Sequence, residues 1–332
     1  MADQESILKN EIIRVGKRLY SQGLAVAKSG NISAKLDDES ILITAGGTFL
    51  GSLRPEDIIK VSLSTKNSQE GKHPSSELPL HSLVYKNFPS KVVVHCHPPL
   101  INGYFAVSSK LKALSFETKF YLGEVPVVSQ DTPTVTELDE VIQALKVNNL
   151  VVLKNHGAIA MADNFNEALA LIEALEEAVR TAALARLFDK NILDELDQPL
   201  KNKLEADKAY PMFSPEHVQA IVDLVNKDQL IANKGEELDL TVKLAITSTE
   251  SDKAYRFNFE KGRIVKLDYD SDAPFIISAS NDIWKQVFLG SLDPFVAVTQ
   301  GKMNLDGQLG QLSRWYVPFS RLFEIFKQVK FK

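Results

Sequence analysis

The residue type this chain has least of is cysteine, with one in 332 residues. A lone thiol has no partner for an intrachain disulfide, so the sequence is not a disulfide-stapled scaffold and fits a reducing compartment. It also lacks an excess of positive charge: 38 Lys and Arg stand against 43 Asp and Glu, a formal net charge of −5. That balance offers no global cationic field for nucleic acid or an anionic membrane, so small molecules or proteins are the expected partners. No apolar run approaches the roughly 18 residues of a spanning helix. Met1-Ala2-Asp3-Gln4-Glu5 has neither the basic start nor the apolar stretch of a secretory leader, and the expectation is a cytoplasmic protein. Internal repeats are missing, and 44% hydrophobic and 24% charged residues exclude a disordered or collagen-like chain. Histidine is scarce and uneven, six in all, five of them between His73 and His156.

At about 100–200 residues per domain, this length predicts two domains. Near the start, Ile7, Leu8, Ile12, Val15 and Leu19 recur at three- and four-residue steps, the stripe of an amphipathic helix from Gln4 to about Tyr20. Strand-like segments punctuated by Gly and Asx turns follow at 29–33, 41–44 and 57–63, then a helix from Pro79 to Phe88 and a strand from Lys91 to His97. Leu150 to Lys154 reads as another strand, and a long helix opens at Asn164 with Glu167 three residues on. The charged, aromatic-poor stretch from Asp189 to Pro211 has the composition of a linker. Beyond it, Ser214 caps a helix, and segments starting at Leu238, Tyr255 and Ile264 alternate apolar with polar residues. That period of two, with Glu260-Lys261-Gly262 as a tight connection, predicts an antiparallel meander with one buried face, and Trp315 to Phe331 a terminal helix lying on it.

His95-Cys96-His97 carries the strongest chemical signal. Alternate residues of a strand share a face, so the two imidazoles converge and Cys96 turns away. Imidazole suits zinc and other divalent transition ions, and a catalytic site takes about three protein ligands with one position open. His156, where a strand ends before Gly157, is the third candidate. His73 reads as a surface residue, and His81, four residues after Glu77 on a helix, as a structural hydrogen-bonding group. Glu77 follows Pro74-Ser75-Ser76 at a helix opening, where unpaired N–H groups and hydroxyls suit an anion. Ser29-Gly30-Asn31 and Thr44-Ala45-Gly46-Gly47 are turns whose amides could face the same ligand.

Taken in order, Ser-Gly-Asn-Ile-Ser at 29–33, Thr-Ala-Gly-Gly at 44–47, Pro-Ser-Ser-Glu at 74–77, His-Cys-His-Pro at 95–98 and Asn-His-Gly at 155–157 resemble the class II aldolase/adducin family over about residues 4–190. The resemblance implies a three-layer αβα domain of the α/β class over residues 1–190. It implies one Zn2+ per subunit, or another divalent transition metal, on His95, His97 and His156. Glu77 becomes the proton carrier near the metal, and Gly30, Asn31, Gly46, Gly47, Ser75 and Ser76 become contacts to a substrate phosphate. Gly46 departs from the hydroxyl that many members have there. Tyr210 stands as counterpart of the tail Tyr that acts as acid on the aldehyde oxygen in the family's aldolases. The implied activity is retro-aldol cleavage of a sugar phosphate or related hydroxy-carbonyl compound through a metal-stabilised enediolate, as in the family's fuculose-phosphate aldolases, by a homotetramer. The alternatives are an epimerase, dehydratase or decarboxylase on the same scaffold, or a non-catalytic adducin-like interaction protein. The family's epimerases carry Asp where Glu77 stands, and the intact histidines speak against the non-catalytic branch.

Past the linker, placed at 191–211, a second resemblance covers about 215–330: Ser278-Ala279-Ser280-Asn281-Asp282-Ile283-Trp284, Leu289 to Pro294, and Gln300-Gly301-Lys302 with Asn304 and Asp306-Gly307 are similar to the sterol-carrier-protein type 2 domain. It implies a smaller α+β domain over 212–332, a five-stranded sheet with helices on one side and an apolar tunnel that takes a lipid or acyl ligand.

Overall fold

The stripe read at the start of the chain lies on α1 (Ala2–Ser21), where Ile12, Val15 and Leu19 are fully buried and Ile7 stays exposed. In the computed structural model, described for residues 2–65, 73–130, 132, 134–188, 209–307 and 313–332, the chain separates into two units, Met1–Leu196 and Asp197–Lys332. Up to residue 208, the expected linker lies outside the described residues.

Seven strands make the sheet of the first unit: β1 (Asn31–Lys35), β2 (Ser40–Thr44), β3 (Ile58–Ser62), β4 (Val92–Cys96), β5 (Val127–Ser129), β6 (Leu150–Lys154) and β7 (Gly157–Ala162), in the order β3-β2-β1-β4-β7-β6-β5. Every pair is antiparallel except β5 with β6. The helices are α2 (Leu78–Asn87), α3 (Pro99–Val107), α4 (Phe116–Tyr121), α5 (Leu138–Val147) and α6 (Phe165–Phe188). Period-two alternation splits the central strands between two cores. Ile32, Ala34, Val92, Val94 and Cys96 pack with Val15 of α1, Phe105 of α3 and Leu175 of α6. Ile41, Ile43, Val93 and Ile159 pack on the other face with Val84 of α2 and Val141 of α5. Helices thus cover both faces, giving three layers, and β4 lies at the sheet's centre. Asn164 caps α6, accepting the Glu167 N–H at 3.1 Å.

The second unit holds α7 (Pro215–Lys227), α8 (Gln229–Glu237), β8 (Val242–Ser248), β9 (Ala254–Glu260), β10 (Arg263–Asp268), β11 (Phe275–Ala279), α9 (Asn281–Leu289), α10 (Pro294–Thr299), β12 (Asn304–Asp306) and α11 (Tyr316–Phe326). Its five strands order as β10-β9-β8-β11-β12. One expectation changes. The strand foreseen from Leu238 begins at Val242, because the chain turns at Asp239 (φ 48°) and the Leu240 N–H bonds back to Gly235 O. The three alternating segments form the expected antiparallel meander as β8, β9 and β10, and β11 then crosses to pair in parallel with β8. The tight connection is Lys261-Gly262, both at positive φ (47° and 83°) as a two-residue hairpin turn requires. On β9, Tyr255, Phe257 and Phe259 are buried while Arg256 and Asn258 are half-buried, so one face is covered. The interior is filled by rings, Trp284, Phe257, Phe288 and Phe326 among them. Between sheet and helices, Leu244, Ile277, Phe295, Phe319 and Phe323 line an apolar cavity of about 20 Å³, about the room one water needs.

Candidate metal centre

Strand β4 separates its side chains as alternation demands: Cys96 enters the core beneath α3 and α6, while His95 lies on the opposite face, in register with Ile159. His95 is 1% exposed, and its Nδ1 donates to Ala158 O of β7 at 3.0 Å. With the ring proton engaged there, its Nε2 lone pair points to His97 Nε2, 3.0 Å away. His156 joins from the hairpin between β6 and β7. There Asn155 takes the left-handed conformation (φ 66°), which Asn tolerates, and Gly157 packs flush on β4. A Cβ on Gly157 would strike Cys96 O and come within 2.9 Å of His97 Cδ2. The ring of His156 stacks on His95 at 4.9 Å between centroids and lies 4.6 Å from His97.

The three ligand atoms lie within 4.8 Å of one another. His156 Nε2 is buried and has no hydrogen-bond partner among the described residues, a state that normally costs free energy unless a ligand or ion satisfies it. Burial lowers the pKa of His156, and burial plus the neighbouring imidazoles lower that of His95 further; His97 falls to about 4 by burial and the nearness of His156. All three are therefore neutral at pH 7, the form that ligates a metal. The donor set fits one divalent transition ion, with imidazoles on one side of it.

Glu77 ends the loop before α2. It is 4% exposed, with Oε1 3.9 Å from His156 Nε2 and accepting the Val135 N–H at 3.2 Å. Burial raises its pKa, opposed by that N–H. The two Gly and Ser loops meet beside it: Ser75 N–H donates to Thr44 O, Gly46 N–H to His73 O, and Ala45 bridges Pro74. The N–H groups of Gly46 and Ser75 are thus used by the fold, whereas those of Gly47 and Ser76 carry no hydrogen bond among the described residues. Gly30, at φ 85°, lets β1 approach β4 so closely that a Cβ would lie 2.7 Å from His95 O. Asn31 then pairs with His95 in the β1–β4 register. His73 is exposed, as expected. Tyr210 belongs to the second unit, where its backbone pairs with Lys330 and Lys332.

Two supporting groups escaped the sequence reading. Asn102 of α3 donates to His156 O at 3.3 Å. Glu176 of α6 accepts the Leu100 and Ile101 N–H groups (3.3 and 3.0 Å), serving as the cap that Pro98 cannot supply to α3. His81, read from the sequence as a structural hydrogen-bonding group, bonds to Asn31 and Ser33.

The family described as Class II Aldolase and Adducin N-terminal domain matches residues 10–183. An L-fuculose phosphate aldolase of Methanococcus vannielii is 31% identical over 181 residues, 54% of this chain and 98% of that protein. A 3-oxo-tetronate 4-phosphate decarboxylase of Pectobacterium atrosepticum is 30% identical over 183 residues, 53% of this chain and 84% of that protein. Among solved structures, an l-fuculose-1-phosphate aldolase from Thermus thermophilus superposes with a TM-score of 0.50 at 31% identity, covering 58% of this chain and 97% of that one.

Proposed function

Because the chain belongs to the class II aldolase and adducin family, we propose that its first unit is a zinc-dependent carbon–carbon lyase cleaving a sugar phosphate or related hydroxy-carbonyl compound. The observation that carries this reading is the convergence of His95, His97 and the unpartnered His156 Nε2 beside the buried carboxyl of Glu77. A divalent ion, when bound, supplies positive charge beside the oxygens where negative charge develops as the bond breaks. The three imidazoles would hold that ion. Glu77 Oε1 moves the proton at the reacting carbon; burial that raises its pKa suits a group that must both take and return a proton near neutrality. The N–H groups of Gly47 and Ser76, with Gly30, Asn31, Gly46 and Ser75 around them, are the phosphate-holding set. Tyr210 is kept as the acid on the aldehyde oxygen on the strength of the family resemblance alone. Self-association into a homotetramer is supported by exposed Val107, Phe116 and Tyr121.

Elemental analysis should find about one divalent ion per chain, and incubation with L-fuculose 1-phosphate should release dihydroxyacetone phosphate. Metal-free wild type, or His95→Ala with wild-type activity, would overturn the reading. The similarity to a protein named as a decarboxylase favours one second reading, decarboxylation of a phosphorylated keto acid, in which negative charge develops on the same kind of oxygen. Carbon dioxide release from such an acid without ketose cleavage would select it. The second unit we take as a sterol-carrier-like accessory. A cavity of about 20 Å³ supports a filled core over a standing tunnel, and a lipid or acyl chain co-purifying at one per chain would reverse that view.

A further inference from the structure

Helix α2 sets three polar side chains at four-residue steps, Glu77 at its cap, then His81 and Tyr85, which form one stripe. Facing it, β1 sets Asn31 and Ser33 at the two-residue step of a single strand face. Ser33 Oγ lies 2.6 Å from His81 Nδ1 and 2.8 Å from the Tyr85 hydroxyl, and His81 Nε2 lies 2.6 Å from Asn31 Oδ1. His81 and Ser33 are fully buried, and burial holds the imidazole pKa near about 3, so the ring is neutral and carries one proton. The carboxamide oxygen can only accept, so that proton sits on Nε2. Nδ1 then accepts from the Ser33 hydroxyl, whose oxygen accepts from Tyr85.

In this chain of bonds the Asn31 carboxamide turns its oxygen toward His81. Its oxygen is spent on His81, and its Nδ2 carries no hydrogen bond among the described residues. Asn31 sits opposite His95. Continuing the β1–β2 register, in which Ser33 faces Ile43, sets Asn31 beside Ala45, which bridges Pro74. The amide is therefore next to the two loops whose Gly47 and Ser76 N–H groups are unused. A rotated carboxamide would present an oxygen in place of two N–H donors, turning attraction for an anion into repulsion.

We propose that His81 is a positioning residue that holds the Asn31 carboxamide with its N–H donors turned toward an anionic oxygen of a phosphorylated substrate. The role rests on the sugar-phosphate reading of the site. It assigns the helix stripe two tasks at once, Glu77 for the proton and His81 for the orientation of an anion donor one turn further on.

The test is calorimetric titration of inorganic phosphate into the metal-loaded protein, with metal content measured in every variant. His81→Leu weakens phosphate binding by about tenfold, the scale of one hydrogen bond to a charged group. His81→Gln, whose amide N–H reaches the place of Nε2, recovers binding to within about threefold of wild type. Asn31→Ala shows the same loss as His81→Leu, and the double variant loses no more, since both remove one interaction. Ser33→Ala is the small change that keeps the helix packing: it frees the ring to take its other tautomer, so binding weakens and the 15N shifts of His81 move from an Nε2–H toward an Nδ1–H pattern. Phosphate binding at wild-type strength in His81→Leu or Ser33→Ala, or losses that multiply in the double variant, overturns the positioning role alone. Wild type that binds no phosphate overturns the sugar-phosphate reading and the positioning role with it.

Discussion

At the scale of single residues, the first unit buries groups that elsewhere stay in water, and each burial has a measurable consequence. Glu77 loses hydration, which raises its pKa, while one backbone N–H opposes the rise, and the carboxyl lies beside His156. Glu77→Gln preserves shape and removes the exchangeable proton. It is expected to reduce turnover by about 10²–10⁴-fold with metal content unchanged, read from initial rates beside elemental analysis. His81 acts on stability. Folded, it resists protonation down to about pH 3, whereas in the unfolded chain it titrates near its ordinary value of 6.5. Below about pH 6.5 the unfolded state takes up a proton that the folded state refuses. Stability is therefore complete above that pH and declines as pH falls toward 3, by up to about 1.4 kcal/mol per pH unit from this group. Urea midpoints at pH 7.5, 6.5 and 5.5 should show the decline in wild type and a shallower one in His81→Gln.

At the scale of elements, α3 is the joint of the site. It begins two residues after His97, its Asn102 holds the carbonyl of His156, and its first N–H groups are capped by Glu176 from another helix. Glu176→Ala strands those N–H groups and should cost about 1–3 kcal/mol. It should also weaken metal affinity in chelator competition, with Glu176→Gln, which keeps only one of the two accepting oxygens, recovering part of both. This explains what was legible in the sequence. The His95 and His97 pairing follows from strand alternation, and the α1 and α6 stripes and the Asn164 cap from local periodicity, all within a few residues. Glu176 reaches its partners across 75 residues and His81 reaches Asn31 across 50, contacts that exist only once helices dock on the sheet. Likewise, the parallel pairing of β11 with β8 left no trace in the sequence, because alternation carries no record of a neighbour's direction.

At the scale of the whole molecule, each unit has its own interior, aliphatic layers around a seven-stranded sheet in one and packed aromatic rings beside a five-stranded sheet in the other. An ion bound only by the first unit stabilises only that unit, by about 2.7 kcal/mol at a hundredfold excess over its dissociation constant. Scanning calorimetry should therefore resolve two transitions, and a chelator should lower one and leave the other in place. A chelator that shifts both transitions equally would show that the units unfold together. Among the described residues no helix is long and apolar enough to cross a membrane.

The placement of Cys96 gives the protein a built-in probe. It is the chain's one thiol, sits at the centre of the sheet between two imidazole-bearing neighbours, and is fully buried, with burial and the nearness of Glu176 raising its pKa. A thiol-specific reagent can reach it only when the helices α3 and α6 lift from β4 or the strand itself opens, so labelling speed measures the opening of the layer behind His95. Adding the divalent ion should slow that labelling in proportion to occupancy, which turns one sulfur atom into a clock for the metal centre behind it.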